Sequence, residues 1–242
     1  MKCLILAAGY GTRLYPLAEN QPKPLIKVGG RPMIEHILSK VEALDRVDEV
    51  YIVHNRKFSE NFSTWARGYN TGKKIRLFND GSTDDSDKLG AIGDMRFVVE
   101  ESGADDDMLV IAGDNLFGWE LYPFLEFFDD KGTCAALYRV SDRELIKKYS
   151  VVELDDDGRI ISFEEKPAEP ATDLAAICLY LIGRDKLPKI NRYIDEGRNP
   201  DAPGYFIKYL AETDCIYGVP MEGDWLDIGD FKSLEEAEKL FG

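Results

Sequence analysis

An apolar strand that runs directly into a glycine-rich turn opens this chain and constrains its fold more than any other segment. In LILAAGYGTRLYPLAENQPKPLIKV, which begins at Leu4, the residues Leu4 to Leu6 have the character of a buried strand. Gly9 and Gly11 then allow a tight turn that brings backbone N–H groups toward one point. Thr12 adds a hydroxyl donor and Arg13 a positive charge, and Lys23, between Pro22 and Pro24, adds a second charge. A unit of this kind suits a phosphate-bearing ligand beyond the carboxyl end of a sheet strand. The net charge is −15, so cations gathered beside a glycine loop stand out against the rest of the chain.

Two later segments also end in carboxylates. Val110-Ile111-Ala112-Gly113-Asp114-Asn115 puts an acid just past an apolar strand, and Asp224-Trp225-Leu226-Asp227-Ile228-Gly229 puts another in a short apolar stretch. Such residues, though far apart in sequence, converge in an open α/β sheet. Glycine loop, cations and carboxylates together describe a site for a metal-bound polyphosphate.

At 242 residues and 44% hydrophobic composition the chain can bury a large core, and no Gly/Ser-rich or Pro-rich linker divides it. The expectation is one domain over residues 1–242. No apolar run approaches membrane-spanning length and no leader precedes the first strand, so a cytoplasmic location and no membrane partner are expected. The acidic balance argues against a broad nucleic-acid-binding face. Cys3, Cys134, Cys178 and Cys215 are widely spaced among apolar neighbours, which suits reduced core thiols. Assembly is left open between a monomer and a small homo-oligomer.

Strands and helices alternate through the first half. Lys2 to Ala7, Val50 to Val53, Ile75 to Phe78 and Met108 to Ala112 read as strands. A helix is predicted to start at Arg31-Pro32, with proline in its first turn and Met33, Ile34, Ile37, Leu38, Val41 and Leu44 at helical spacing. Phe58, Phe62, Trp65, Ala66 and Tyr69 form a second stripe, and Ile92 to Val99 a third helix. After Asn115 strands dominate, at Thr133 to Tyr138, Val151 to Leu154, Ile160 to Phe163 and Ala176 to Leu181, before a last helix from Ser233 to Leu240. Asp155-Asp156-Asp157-Gly158 is a hairpin turn and not a calcium loop. The class is a mixed α/β sandwich around a central sheet, with a small antiparallel lobe for a second substrate.

LAAGYGTRLYPL and PKPLIKVGGRPMIEHIL resemble the signature loop and its continuation in the sugar-1-phosphate nucleotidyltransferases. The likeness continues in family order through LGAIGD, AGDNLF, FEEKP and DWLDIGDFKSLEEA, over essentially the whole chain. It implies a Rossmann-like mixed central sheet flanked by helices, the nucleotide-diphospho-sugar transferase fold. It also implies that Leu6, Ala7, Ala8, Gly9, Gly11, Thr12, Gly90 and Asp114 hold the nucleotide, and that Glu165 and Lys166 meet the sugar and its phosphate. Asn79 and Asp80 are expected to reach the nucleotide from the same wall, or else to form an Asn-Asp-Gly turn. Asn115, Ser150 and Ile177 complete the expected acceptor side. Where many relatives have Tyr-Gly-Val-Val and a Thr-Gly pair, this chain has Tyr149-Ser150-Val151-Val152 and Ile177-Cys178, which removes glycines that in relatives let the backbone approach the sugar.

The implied chemistry is displacement at the α-phosphorus of a nucleoside triphosphate by a sugar 1-phosphate oxygen. Lys23 and Lys166 place the attacking phosphate, Arg13 holds the triphosphate, and Asp114 with Asp227 would hold Mg²⁺ against the α-phosphate. By resemblance the substrates are dTTP or UTP and glucose 1-phosphate. Two other readings stand beside this one: a cytidylyltransferase acting on phosphocholine, a polyol phosphate or a phosphonate, and a non-catalytic nucleotide-sugar sensor. His36 and His54 carry no evident acid-base role.

Overall fold

The computed structural model describes residues 1–242. Thirteen strands form in chain order: β1 Lys2–Leu6, β2 Lys27–Val28, β3 Arg31–Pro32, β4 Glu49–His54, β5 Lys74–Asn79, β6 Met108–Ala112, β7 Asn115–Phe117, β8 Cys134–Arg139, β9 Ser150–Leu154, β10 Ile160–Glu165, β11 Leu174–Ile182, β12 Tyr217–Pro220 and β13 Trp225–Asp227. The helices are α1 Met33–Glu42, α2 Ser59–Gly68, α3 Ala91–Ser102, α4 Tyr122–Lys131, α5 Arg143–Ile146, α6 Pro188–Asp195, α7 Gly204–Thr213 and α8 Phe231–Phe241.

Strands β6, β1, β4 and β5 lie side by side and parallel. The inner strands β1 and β6 are apolar almost throughout because both sheet faces are covered there, while β5 at the edge carries Lys74, Arg76 and Asn79; alternate residues point to opposite cores. Cys3 and Ile5 enter a core of 41 buried residues with Ile34, Ile37 and Val41 of α1. Leu4, between them, enters a second core with Ile92, Met95 and Val98 of α3.

From β1 the chain runs outward to β4 and β5, then returns to place β6 on the other side of β1. That reversal leaves a crevice beyond the carboxyl ends of β1 and β6, where the glycine loop and Asp114 emerge. The antiparallel strands do not detach as a lobe; they extend the same nine-stranded sheet through β11. This long strand pairs with β9 at Ala175 and Ala176, then with β6 from Leu179 to Ile182. Ile177 and Cys178 therefore sit where the sheet changes partners, beside the crevice. A separate two-stranded ladder sets Asp227 of β13 opposite Asn115 of β7.

Several local expectations need amendment. Pro32 closes β3 and caps α1 from outside, because Arg31–Pro32 pair with Lys27–Val28 before the helix begins. Cys215 is exposed and Cys178 half-buried, so only Cys3 and Cys134 are core thiols, and all four are free. His54 is buried against Phe62, with ring centroids 5.1 Å apart, and burial lowers its pKa, which fits a neutral packing role. The turn at Asp155 forms as expected, its carboxylate accepting from the N–H groups of Asp157 and Arg159.

Candidate active site

Three adjoining compartments make one cleft. The first, ≈ 240 Å³, is lined by Leu6, Ala7, Gly9, Gly11, Thr12, Arg13, Lys23 and Asp114. Gly11 has φ 62, and a Cβ there would come within 3.2 Å of Ala18 Cβ. None of the N–H groups from Gly9 to Arg13 bonds to a backbone carbonyl, so this turn keeps its donors for an anion. A buried residue outside the motifs, Asn55, fixes the approach to the turn: its Nδ2 donates to the Ala8 carbonyl at 2.8 Å and its Oδ1 accepts from Phe58 N–H. Its only sequence signal is a polar residue immediately after an apolar strand.

Asp114 lies at the junction between compartments. Lys23 Nζ donates to Asp114 Oδ2 at 2.6 Å and Asn115 Nδ2 donates to Asp114 Oδ1 at 3.0 Å. Asn115 Oδ1 in turn accepts from Trp225 Nε1 at 2.8 Å. The Asn115 amide is thus committed to orienting Asp114, although the residue lines the acceptor side. Burial pushes the Asp114 carboxyl upward, but the charge and hydrogen bond of Lys23, with the Asn115 amide, outweigh it and hold the pKa below the ordinary value. Asp227 behaves oppositely: burial, then the charge of Asp114, raises it to about 6. Two hard oxygen donors, one poorly answered by the protein's own cations, fit a divalent ion shared with phosphate oxygens. No cluster of three or more metal-ligating side chains exists, so phosphate and water would complete the shell.

The second compartment, ≈ 340 Å³, continues from Ala8 and Gly9 past Gly90 to Asp80, Asp85, Asp94 and Asp201, and reaches Asp114 and Asp227 at its other end. Gly90 is required there: its φ is 77 and a Cβ would meet the Pro200 carbonyl oxygen at 2.6 Å. Asn79 does not line the cleft; its Oδ1 accepts from Gly81 N–H, so Asn79-Asp80-Gly81 is the turn and only Asp80 faces inward.

The third compartment, ≈ 120 Å³, gathers Asn115, Ser150, Glu165, Ile177, Cys178 and Asp227 with Lys148 and Gly204. Ser150 Oγ donates to Glu165 Oε2 and fixes that carboxylate against the wall. Lys166 lies outside this lining, 62% exposed, with Nζ 3.6 Å from Glu165 Oε1. Its backbone also departs from the extended form expected before proline: φ is 49, while its N–H donates to the Tyr149 carbonyl at 3.1 Å. Lys148, not singled out from sequence, is the lysine on the acceptor wall.

The amino end of α7 closes this wall, and Gly204 is packed so that a Cβ would meet Ser150 Oγ at 2.6 Å and Glu165 Oε2 at 2.9 Å. Gly204→Ala is expected to displace both side chains and raise KM for the acceptor about tenfold, at a stability cost of about 1–3 kcal/mol. Steady-state kinetics against each substrate separately would check it, since KM for the triphosphate should change little.

A doubly wound crevice with a turn of unbonded N–H groups, a paired lysine and two carboxylates on one wall suits a bound polyphosphate. The chain matches the family model for nucleotidyl transferase over residues 2–241 and belongs to that family. It is 30% identical over 241 residues to the bifunctional protein GlmU of Methanocaldococcus jannaschii, covering 99% of this chain and 54% of the relative. It is also 30% identical over 246 residues to the UTP–glucose-1-phosphate uridylyltransferase of Synechocystis sp., covering 98% and 62%. The chain thus spans little more than half the length of these relatives. Among solved structures, a Bacillus anthracis protein assigned as a glucose-1-phosphate thymidylyltransferase, in complex with sucrose, superposes with TM-score 0.81 at 26% identity, covering 99% of this chain and 94% of that one.

Proposed function

We propose that this chain transfers a nucleotidyl group from a nucleoside triphosphate to a sugar 1-phosphate, giving a nucleoside diphosphate sugar and pyrophosphate, with glucose 1-phosphate as the first acceptor to try. The observation that carries this is the continuity of the cleft: unbonded N–H donors at one end, a Ser150–Glu165 pocket at the other and the Asp114–Asp227 pair between them. The turn and Arg13 hold the triphosphate and the departing pyrophosphate. Lys23 offsets repulsion between the two phosphates as they approach, while Asn115 and Trp225 keep Asp114 in place. Mg²⁺, held by Asp114 and Asp227, would supply charge neutralisation at the α-phosphate. The nucleophile already carries negative charge, so no residue needs to remove a proton from it.

The test is a pyrophosphate-release matrix of triphosphates against phosphorylated acceptors, with and without a divalent ion. Pyrophosphate with a hexose 1-phosphate, and none without Mg²⁺, is the expected result; release of orthophosphate instead would sink the proposal. In the same assay Lys166→Ala should raise KM for the acceptor by roughly tenfold while triphosphate binding changes little, because its ammonium group reaches solvent beside Glu165 and lies away from the glycine turn. The compactness of the Ser150–Gly204 compartment favours one second reading, transfer from CTP to a smaller, non-sugar phosphate. Faster turnover with phosphocholine or a polyol phosphate than with any sugar 1-phosphate would establish that reading.

A further inference from the structure

Asp94 is unusual within the middle compartment. It sits in the first turn of α3, is only 6% exposed, and its Oδ1 is sealed from water with no hydrogen-bond partner. A buried acceptor left without a donor is costly, and such groups seldom persist without a use. The small part of Asp94 that remains accessible opens on the cleft.

Its neighbour is another acid. The Asp80 carboxyl lies on the same wall, and burial, then the nearby Asp80 charge, raises the Asp94 pKa. Asp80 is itself occupied by the adjacent loop, accepting from Ser82 N–H at 2.8 Å and from Ser82 Oγ at 2.8 Å, and Tyr10 O–H donates to Ser82 Oγ at 3.0 Å. Asp94 is therefore the member of the pair with acceptor capacity to spare. The other side chains of this wall offer little else: Lys88 Nζ is paired with Asp85 at 3.2 Å and with Asp201 at 2.9 Å. The wall beyond Gly90 is rich in acceptors, and its one cation is already used.

We propose that Asp94, which shares this wall with Asp80, reads the nucleobase and selects one that carries an exocyclic amine over uracil or thymine. The inference rests on the reading of the cleft as a nucleotidyl-transfer site. With the triphosphate on the glycine turn and the acceptor beyond Asp227, the base has only the Gly90–Asp94 end to occupy. Cytosine, guanine and adenine each present an amino group that donates to a carboxyl oxygen. Uracil and thymine present one ring N–H flanked by two carbonyl oxygens, which would face the oxygens of Asp80 and Asp94. The selection departs from the dTTP or UTP expected by resemblance.

The test measures binding and pyrophosphate release for CTP, GTP, ATP, UTP and dTTP with the full chain, its Asp94→Ala variant and its Asp94→Leu variant, which keeps the volume. Affinity for one amino-bearing triphosphate is expected to exceed that for UTP and dTTP by roughly 10- to 100-fold, and both variants are expected to abolish that ratio. The ratio is read on one preparation, so a general loss of folded protein cancels from it. The CTP, GTP and ATP arms identify which amine is read. Preference of the parent for UTP or dTTP, with pyrophosphate released, would overturn the inference and leave the transfer reading standing. An unchanged ratio in both variants would also overturn it, making Asp94 a structural acid. Amine selectivity lost with Asp94, but without pyrophosphate from any triphosphate, would support base reading while removing the proposed transfer.

Discussion

Asp227→Asn is expected to fold as the parent chain does and to release pyrophosphate roughly 100-fold more slowly, or worse. The substitution keeps the shape of a side chain that β13 places opposite Asn115, next to Asp114, and removes only its charge. Without an added cation, burial and the Asp114 carboxylate raise Asp227 to about 6 from an ordinary value of 3.8. The folded state therefore holds a proton that the unfolded chain has lost, and this acid's contribution to stability falls as pH rises through that interval. Asparagine has no such dependence, so thermal unfolding at pH 7 to 8 should show a Tm equal to or above the parent's. Activity and stability should thus move in different directions. A folded variant with undiminished turnover and unchanged Mg²⁺ dependence would remove Asp227 from the metal site and leave it as a support for the turn before α8.

Lys23→Ala is expected to reduce turnover by roughly 100- to 1,000-fold and, unlike Asp227→Asn, to lower Tm. Lys23 is 11% exposed along its side chain and spans 91 residues of sequence to reach Asp114. Its loss leaves Asp114 facing Asp227 with no lysine between them. The stability cost should be about 1–3 kcal/mol, less than for a sealed ion pair because the Asp114 side chain keeps 32% of its surface. Restoring lysine's charge with Lys23→Arg should recover stability better than rate, since a planar guanidinium cannot place its charge at the same point. Equal recovery of both would show that Lys23 serves the fold alone.

Much of the framework was legible along the chain because local rules decide it. The inner parallel strands read as apolar runs, α1 as a stripe at helical spacing, and the Asp155 hairpin as a turn between alternating strands. The later helices were less legible. α6 and α7, which open at Pro188 and Gly204, were not read from the chain, yet α7 supplies the wall of the acceptor pocket. Lys166 was legible as a motif residue but not in its φ of 49, which depends on the Tyr149 carbonyl its N–H meets.

The sequence by itself determined the alternation of elements, the glycine turn with its nearby cations, and the carboxylates at strand ends, since each follows from side-chain period or from backbone freedom within a few residues. Only the tertiary structure decided which of these groups pair with or face one another. Lys23 meets Asp114, Trp225 holds Asn115, and Asp94 shares a wall with Asp80 because the return of β6 to the inner side of β1, the β7–β13 register and the packing of α3 bring them together. Those contacts join residues up to 110 positions apart, and no local propensity carries information over that distance. They depend on strand order and register, which the whole chain settles at once through the burial of its two cores.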